Sequence, residues 1–394
     1  MRTPRSKKLP GTRLLLAPLT LALLTGCSVP AVPIQGEPSS AAEPSATAPA
    51  ATAPGAVLPV SRLGLDCADL VPEQLVADAV AGSVVAVPYG STGQGSGPLG
   101  YAVEQLGGNA CAGTDPATAA PVDGSGASVP GYSVLVLPNA AEQYTRYAEL
   151  YPDVVTGDGA AYGDSAGGAC FGRGAESQCS SSILVGSTWI EVALTGITAD
   201  ASLSDSDVAA RVAPLIESIV TTVADAPAPG PAWTIPTGTV ALPADCATYA
   251  SEDDVRTAFD RPEQLWVGPA GGGGWSLSAG AWTIAGAQRC AWLLADSDVA
   301  VMALEALPGG AWAFDAAAER RTPAQPTDAV DTAIAGVERA VFGCDTALGT
   351  CTLDTVIGGN WVQFSADTLP DDDPDTVRDR LTRVAAGAAG RLTA

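Results

Sequence analysis

The residues of this chain that could do chemistry are carboxylates, hydroxyls and thiols. It contains no histidine, and its only lysines are Lys7 and Lys8. Gly163-Asp164-Ser165-Ala166-Gly167 fits G-x-S-x-G, the spacing that presents a serine nucleophile on a sharp turn. Such a serine needs a base for its proton. With neither histidine nor a nearby lysine, the segment is expected to be a glycine-rich turn ahead of Cys170. The same inventory removes Cys–His catalysis, a pyridoxal Schiff base, His-ligated zinc and a phosphate-binding lysine. Gly93-Gln94-Gly95-Ser96-Gly97 and Gly271 to Gly274 are therefore expected as flexible loops, neither carrying a clear strand into a helix. Carboxylates remain, 43 of them, and two facing each other across a cleft could hydrolyse a glycosidic bond. The densest acidic run, Asp371-Asp372-Asp373-Pro374-Asp375, lacks the frame of a calcium loop. It precedes a helix-like segment, as Asp205-Ser206-Asp207 does, where negative charge offsets the helix dipole. No catalytic residue, metal site or cofactor is expected.

The thiols carry the most information. Of nine cysteines, Cys27 stands apart, and the other eight are Cys67, Cys111, Cys170, Cys179, Cys246, Cys290, Cys344 and Cys351. An even set in an exported chain reads as disulfides. Cys67 to Cys111 and Cys246 to Cys290 are both 44 positions, while Cys170–Cys179 and Cys344–Cys351 are nine and seven. The chain is thus duplicated. Four cysteines in one unit permit three pairings. The constant 44-position spacing favours pairing the first two, although shared architecture could equally preserve it. The last two are close enough for a turn or hairpin staple.

Other positions repeat in step. Pro72-Glu73 and Ser251-Glu252-Asp253 open helices just after Cys67 and Cys246. Ser133 to Pro138 and Met302 to Pro308 each read as a strand with a proline stop before a helix. Trp189 and Trp361 each begin an alternating strand ten residues after a cysteine. Val208, Val212, Leu215, Ile216 and Ile219 line one face of a closing helix, matched by Val377, Leu381, Val384, Ala385 and Ala388. The expected fold is α+β: two tandem copies of a mostly antiparallel sheet packed by helices, each stapled by two disulfides.

Arg2, Arg5, Lys7, Lys8 and Arg13 precede an apolar run from Leu14 to Thr25, too short to span a bilayer but suited to a signal peptide. Leu24-Thr25-Gly26-Cys27 follows, and it resembles the bacterial lipobox. That resemblance implies cleavage before Cys27, acylation of its thiol (palmitate among the chains), and a lipid anchor on the outer face of the cell membrane. The expected organisation is a leader at 1–26, a lipidated Pro/Ala/Ser-rich tether at 27–56, a first domain at 57–223, a Pro/Ala linker at 224–232 and a second domain at 233–394. Residues 1–26 hold five of the 19 basic residues and no acidic one, so the remainder carries a formal −29. Nucleic acid is a poor partner for such a surface.

A cysteine just before a leading helix, a second in Arg289-Cys290-Ala291-Trp292, and the lipobox upstream are together similar to actinobacterial lipoproteins built from a domain of unknown function. Those are in turn similar to the extracellular sensor domains of mycobacterial Ser/Thr kinases. The first copy departs from the motif, with Ala110-Cys111-Ala112-Gly113 where the tryptophan would fall. The resemblance implies the architecture and an extracytoplasmic location; the residue inventory favours a non-enzymatic module that binds a small molecule, a glycan or a protein, with a carboxylate-dependent cell-wall hydrolase as the alternative. Seven of the eight tryptophans fall in or at the edge of the second copy. Trp275 and Trp282, beside a glycine run, are expected either to line a ligand groove or to fill a core built mostly from alanine.

Overall fold

The computed structural model describes residues 58–89, 97–116, 129–155, 162–172, 174–198, 200–270, 274–297, 299–320, 330–345, 349–368 and 373–394. The leader, Cys27, the tether, Gly93 to Ser96, Gly271 to Gly273, Asp371 and Asp372 lie outside the described residues.

The first half runs α1 (Cys67–Leu70), α2 (Glu73–Ala79), β1 (Val85–Pro88), a 3-10 turn (Pro98–Tyr101), α3 (Ala102–Gln105), β2 (Asn109–Thr114), β3 (Gly131–Leu137), α4 (Ala141–Leu150), α5 (Pro152–Val155), β4 (Ser165–Phe171), β5 (Gln178–Val185), β6 (Thr188–Thr195) and α6 (Asp205–Asp225). The second repeats it with α7 (Cys246–Tyr249), α8 (Glu252–Phe259), β7 (Leu265–Pro269), α9 (Leu277–Ala285), β8 (Gln288–Leu294), β9 (Ala300–Leu307), α10 (Ala311–Arg320), β10 (Val330–Asp331), β11 (Arg339–Asp345), β12 (Thr350–Ile357), β13 (Asn360–Asp367) and α11 (Pro374–Leu392). The sheets are ordered β1-β2-β3-β6-β5-β4 and β7-β8-β9-β13-β12-β11-β10, and all their described pairings are antiparallel. The architecture is α+β, with each sheet packed by helices.

One face of each sheet is covered by the closing helix. Val208, Val212, Leu215, Ile216 and Ile219 of α6 are buried, and so are Val377, Leu381, Val384, Ala385 and Ala388 of α11. Each set recurs at three- and four-residue intervals, which puts it on one helical stripe. The helices start where the acids fall. Ser204 and Asp207 form a reciprocal capping box on α6, and the Asp373 carboxylate accepts from Thr376 N at 2.7 Å on α11.

Four disulfides staple the two halves, two in each. Cys67–Cys111 and Cys246–Cys290 have Cα separations of 5.5 and 5.6 Å and tie α1 to β2 and α7 to β8. Cys170–Cys179 and Cys344–Cys351 face each other across the β4–β5 and β11–β12 ladders. The departure at Gly113 has a compensating partner. A Cβ there would run into the ring of Tyr132 on β3, whereas in the second half the aromatic is Trp292 on β8 and its β9 neighbour is Met302. The large side chain has moved to the adjacent strand, and the space is filled either way.

Two local expectations change. The G-x-S-x-G segment is not a glycine turn: Ser165 opens strand β4. A Cβ at Gly167 would sit 2.5 Å from Val155 Cα, and one at Gly168 would meet the backbone of β5, so these glycines serve close backbone packing. The two glycine-rich loops do lead from a strand into a helical segment, β1 to the 3-10 turn and β7 to α9. Periodicity missed this because β1 and β7 have only four and five residues.

The chain between the halves is tied down. Arg62 Nε donates to Gly230 O at 2.8 Å, and Gly230 N donates back to Arg62 O at 2.8 Å. Further on, Val240 N donates to Gly358 O, and Asn360 Nδ2 donates to Val240 O, both at 2.9 Å.

Candidate functional site at the seam between the halves

A third hydrophobic cluster joins the sheet faces that the closing helices leave free, with Leu135, Tyr144 and Trp189 from one half and Leu277, Phe314 and Trp361 from the other. Each half lends a helical segment to the other's sheet: α9 packs on β3 and β6, and the Pro98–Tyr101 turn packs on β9 and β13. Each segment follows one of the glycine-rich stretches in the sequence.

Carboxylates hold the exchanged segments in place. Glu191 on β6 accepts from Leu277 N, in the first turn of α9, at 2.8 Å. Glu305 on β9 accepts from the backbone N–H of Leu99 in the Pro98–Tyr101 turn. Leu99 is held at its carbonyl as well, since Trp282 Nε1 donates to Leu99 O at 2.9 Å. These N–H groups would otherwise lack intrahelical partners. Position 191 corresponds to Gln363, and 305 to Leu135, so the acid sits on neighbouring strands in the two halves.

Burial pushes Glu191 up to about 7, against the pull of the Leu277 N–H. Glu305 is also raised by burial; Arg289, 3.7 Å away, and the Leu99 N–H draw it back, while Asp354 pushes it further up. Asp354 accepts from Trp361 Nε1 at 2.8 Å and from Gln363 Nε2 at 2.9 Å. In the first half Ser182 takes that place, accepting from Trp189 Nε1 at 2.7 Å. Tyr89 and Tyr147 stand close enough to Glu191 to feel its charge, and burial raises both phenols. The result is a carboxyl that is half-protonated near neutrality, set among tyrosines.

The tryptophans singled out from sequence meet at this seam. Trp275 Nε1 donates to Gln143 O at 2.9 Å, and Trp275 N donates to the Tyr151 hydroxyl at 2.7 Å. The guanidinium of Arg146 lies 4.0 Å over the Trp275 ring. Both Trp275 and Trp282 are half-buried, with indole N–H groups engaged by first-half carbonyls. Sequence reading missed Glu191 and Glu305; the only available signal was a charged residue on a strand otherwise destined for a two-sided core. Ser165 accepts from the Tyr144 hydroxyl at 3.0 Å, and Asp164 accepts from Gly186 N at 2.6 Å, so neither is arranged as nucleophile and base. Among the described residues no group of three or more His, Cys, Asp and Glu could hold a metal.

Trp282→Phe is expected to remove the indole bond to Leu99 O, which keeps its bond from Ala102 N, and to cost about 1 kcal/mol, read from urea unfolding at constant m-value. No loss would mean that the indole N–H bond contributes nothing to joining the halves. No protein-family model, no curated protein and no solved structure matches this chain.

Proposed function

We propose that this chain is a lipid-anchored lipoprotein on the outer face of the cell membrane, with a duplicated body that is a non-enzymatic binding module of the envelope. The observation that carries the non-enzymatic part is the use made of the seam acids. Glu191 and Glu305 each accept a backbone N–H from the opposite half, and Asp354 accepts from an indole and an amide. A carboxylate-dependent cell-wall hydrolase, the alternative, needs two carboxyls facing a cleft with their lone pairs available to substrate and water. The acids at the seam are instead engaged in cohesion. Trp275 and Trp282 form the seam's aromatic rim, and that rim is the surface assigned to a small molecule, glycan or protein ligand. The acidic charge argues against nucleic acid. No described helix is long and apolar enough to cross a membrane, which is compatible with attachment through Cys27.

Two measurements test this. Cys27→Ser should move the protein out of the membrane fraction or leave an uncleaved precursor; a variant that is still acylated and membrane-bound would end the anchor reading. Purification from native membranes, followed by mass spectrometry, should return a specific co-purifying partner or ligand. Turnover of cell-wall material by the purified chain, abolished in Glu305→Gln, would favour the hydrolase instead.

A further inference from the structure

The faces turned toward the seam have diverged between the halves in one patch. The β1–β2 and β7–β8 ladders align through Pro88 opposite Cys111 and Pro269 opposite Cys290. On that alignment, Val85 and Val87 of the first half become Trp266 and Gly268 of the second. One and two strands further in, Ala110 and Leu135 become Arg289 and Glu305. All four positions share one sheet face, because paired residues and those two apart along a strand project to the same side. In the first half Ala110 and Leu135 are buried in the seam cluster. The outer strand is open in both halves, Val85 at 43 % and Trp266 at 47 % exposed, whereas further in the second half alone is open, with the Arg289 side chain 44 % exposed beside Glu305 at 26 %.

The first two changes belong together. A Cβ at Gly268 would fall 2.5 and 2.7 Å from Trp266 Cζ2 and Cη2, so the indole lies over the glycine. Glycine within a strand weakens it, and an exposed tryptophan contributes little to a core. Neither change serves stability, but together they lay a flat aromatic ring on the sheet with one face open. Arg289 follows about 7 Å along β8 from Ala291, the residue paired with Gly268, at roughly 3.4 Å per residue. Its guanidinium is steadied by the Glu305 carboxylate 3.7 Å away, which sets planar donors beyond the ring's edge.

We propose that Trp266, laid over Gly268, is the stacking platform of a binding site for a neutral hexopyranose oligosaccharide, with the exposed guanidinium of Arg289 donating to its hydroxyls. A pyranose ring offers what this surface complements: an apolar C–H face for the indole and vicinal hydroxyls that accept from the guanidinium. Glu305 and the chain's net charge of −24 disfavour a polyanion, and a flat platform gives an apolar peptide side chain no pocket to fill. The proposal rests on the binding-module reading and names its ligand class, on a surface distinct from the Trp275 and Trp282 rim.

The test uses the full chain in a non-glycosidic detergent, titrated calorimetrically with the tetramer of N-acetylglucosamine, cellotetraose and maltotetraose up to about 10 mM, the range of weak association. At least one should bind saturably. Trp266→Ala should weaken it on the order of tenfold, the scale of a lost aromatic contact, with the melting curve unchanged. Gly268→Val, which restores the first-half residue, should weaken it likewise by lifting a ring that is still present. Absence of saturable binding by all three, or binding indifferent to Trp266→Ala, overturns the platform. A specific non-glycan partner recovered from native membranes would then leave the binding-module reading standing without it.

Discussion

Replacing Cys246 and Cys290 together by alanine should cost about 4 kcal/mol of stability, the largest loss expected from removing any one bridge in the second half. The bridge closes a 44-position loop, and in the chain-entropy model a loop of that length restricts the unfolded chain by about that much. Cys344–Cys351 spans seven positions and is worth about 2.5 kcal/mol on the same reasoning. Truncation adds to the difference, because Cys290 is fully buried and the smaller alanine leaves a void beside Trp292. Because the seam ties the halves together, both should unfold in one transition, with the midpoint lowered in proportion. Urea unfolding of the two double variants decides it. A cost for Cys344→Ala/Cys351→Ala equal to or above that of the longer bridge would contradict the loop-length argument.

Glu191→Gln should stabilise the protein at pH 8 by on the order of 2 to 3 kcal/mol and flatten its stability between pH 5 and 7. The carboxyl titrates at about 7 in the folded chain, against 4.5 for the unperturbed group. Between those values the folded state holds a proton that the unfolded state has released, so stability falls as pH rises from 4.5 to 7 and then levels off. A shift of that size is worth about 3 kcal/mol, 1.36 per unit, and residual solvent contact trims it. Glutamine stays neutral while its amide oxygen still accepts from Leu277 N. The second half already carries this solution, with Gln363 at the corresponding position. Chemical denaturation of both forms at pH 5, 6, 7 and 8 tests the prediction. Parallel curves for the two would show that Glu191 is not the group whose proton is linked to folding.

Why a stabilising glutamine is not used at both positions has an energetic reading. An acid at 191 makes cohesion of the seam respond to pH across the neutral range, because the charged form is the one that burial disfavours. Glu305 shifts in the same direction but is held by Arg289. The response should therefore come mainly from the Glu191 side.

Much of each half was legible in the order of residues. The 44-position cysteine spacing, the helix stripes at Val208 to Ile219 and Val377 to Ala388, and the strands at Trp189 and Trp361 all rest on local regularities. Such features are set by backbone periods of about 3.6 and 2, which survive in sequence whatever packs against them. Strands as short as β1 and β7 were not legible, since four or five residues carry too little pattern to separate a strand from a loop. Ser165 shows the same limit: a glycine-rich stretch allows a turn, but close approach to Val155 and Ser180 is what makes it a strand.

The seam lay beyond the reach of such patterns. Glu191 meets Leu277 across 86 positions, and Trp282 meets Leu99 across 183. Nothing periodic links residues so far apart. Whether an indole is buried or open depends on which carbonyl the other half presents to it, and so Trp275 and Trp282 could be read as groove or as core. Trp266 makes the point from the other side. Its neighbours in sequence, Leu265 and Val267, look like those of any buried strand, and only the glycine beneath its ring and the unpacked face above it make it a surface. Local order is written in spacing, whereas the chemistry between the halves comes from which faces the fold brings together.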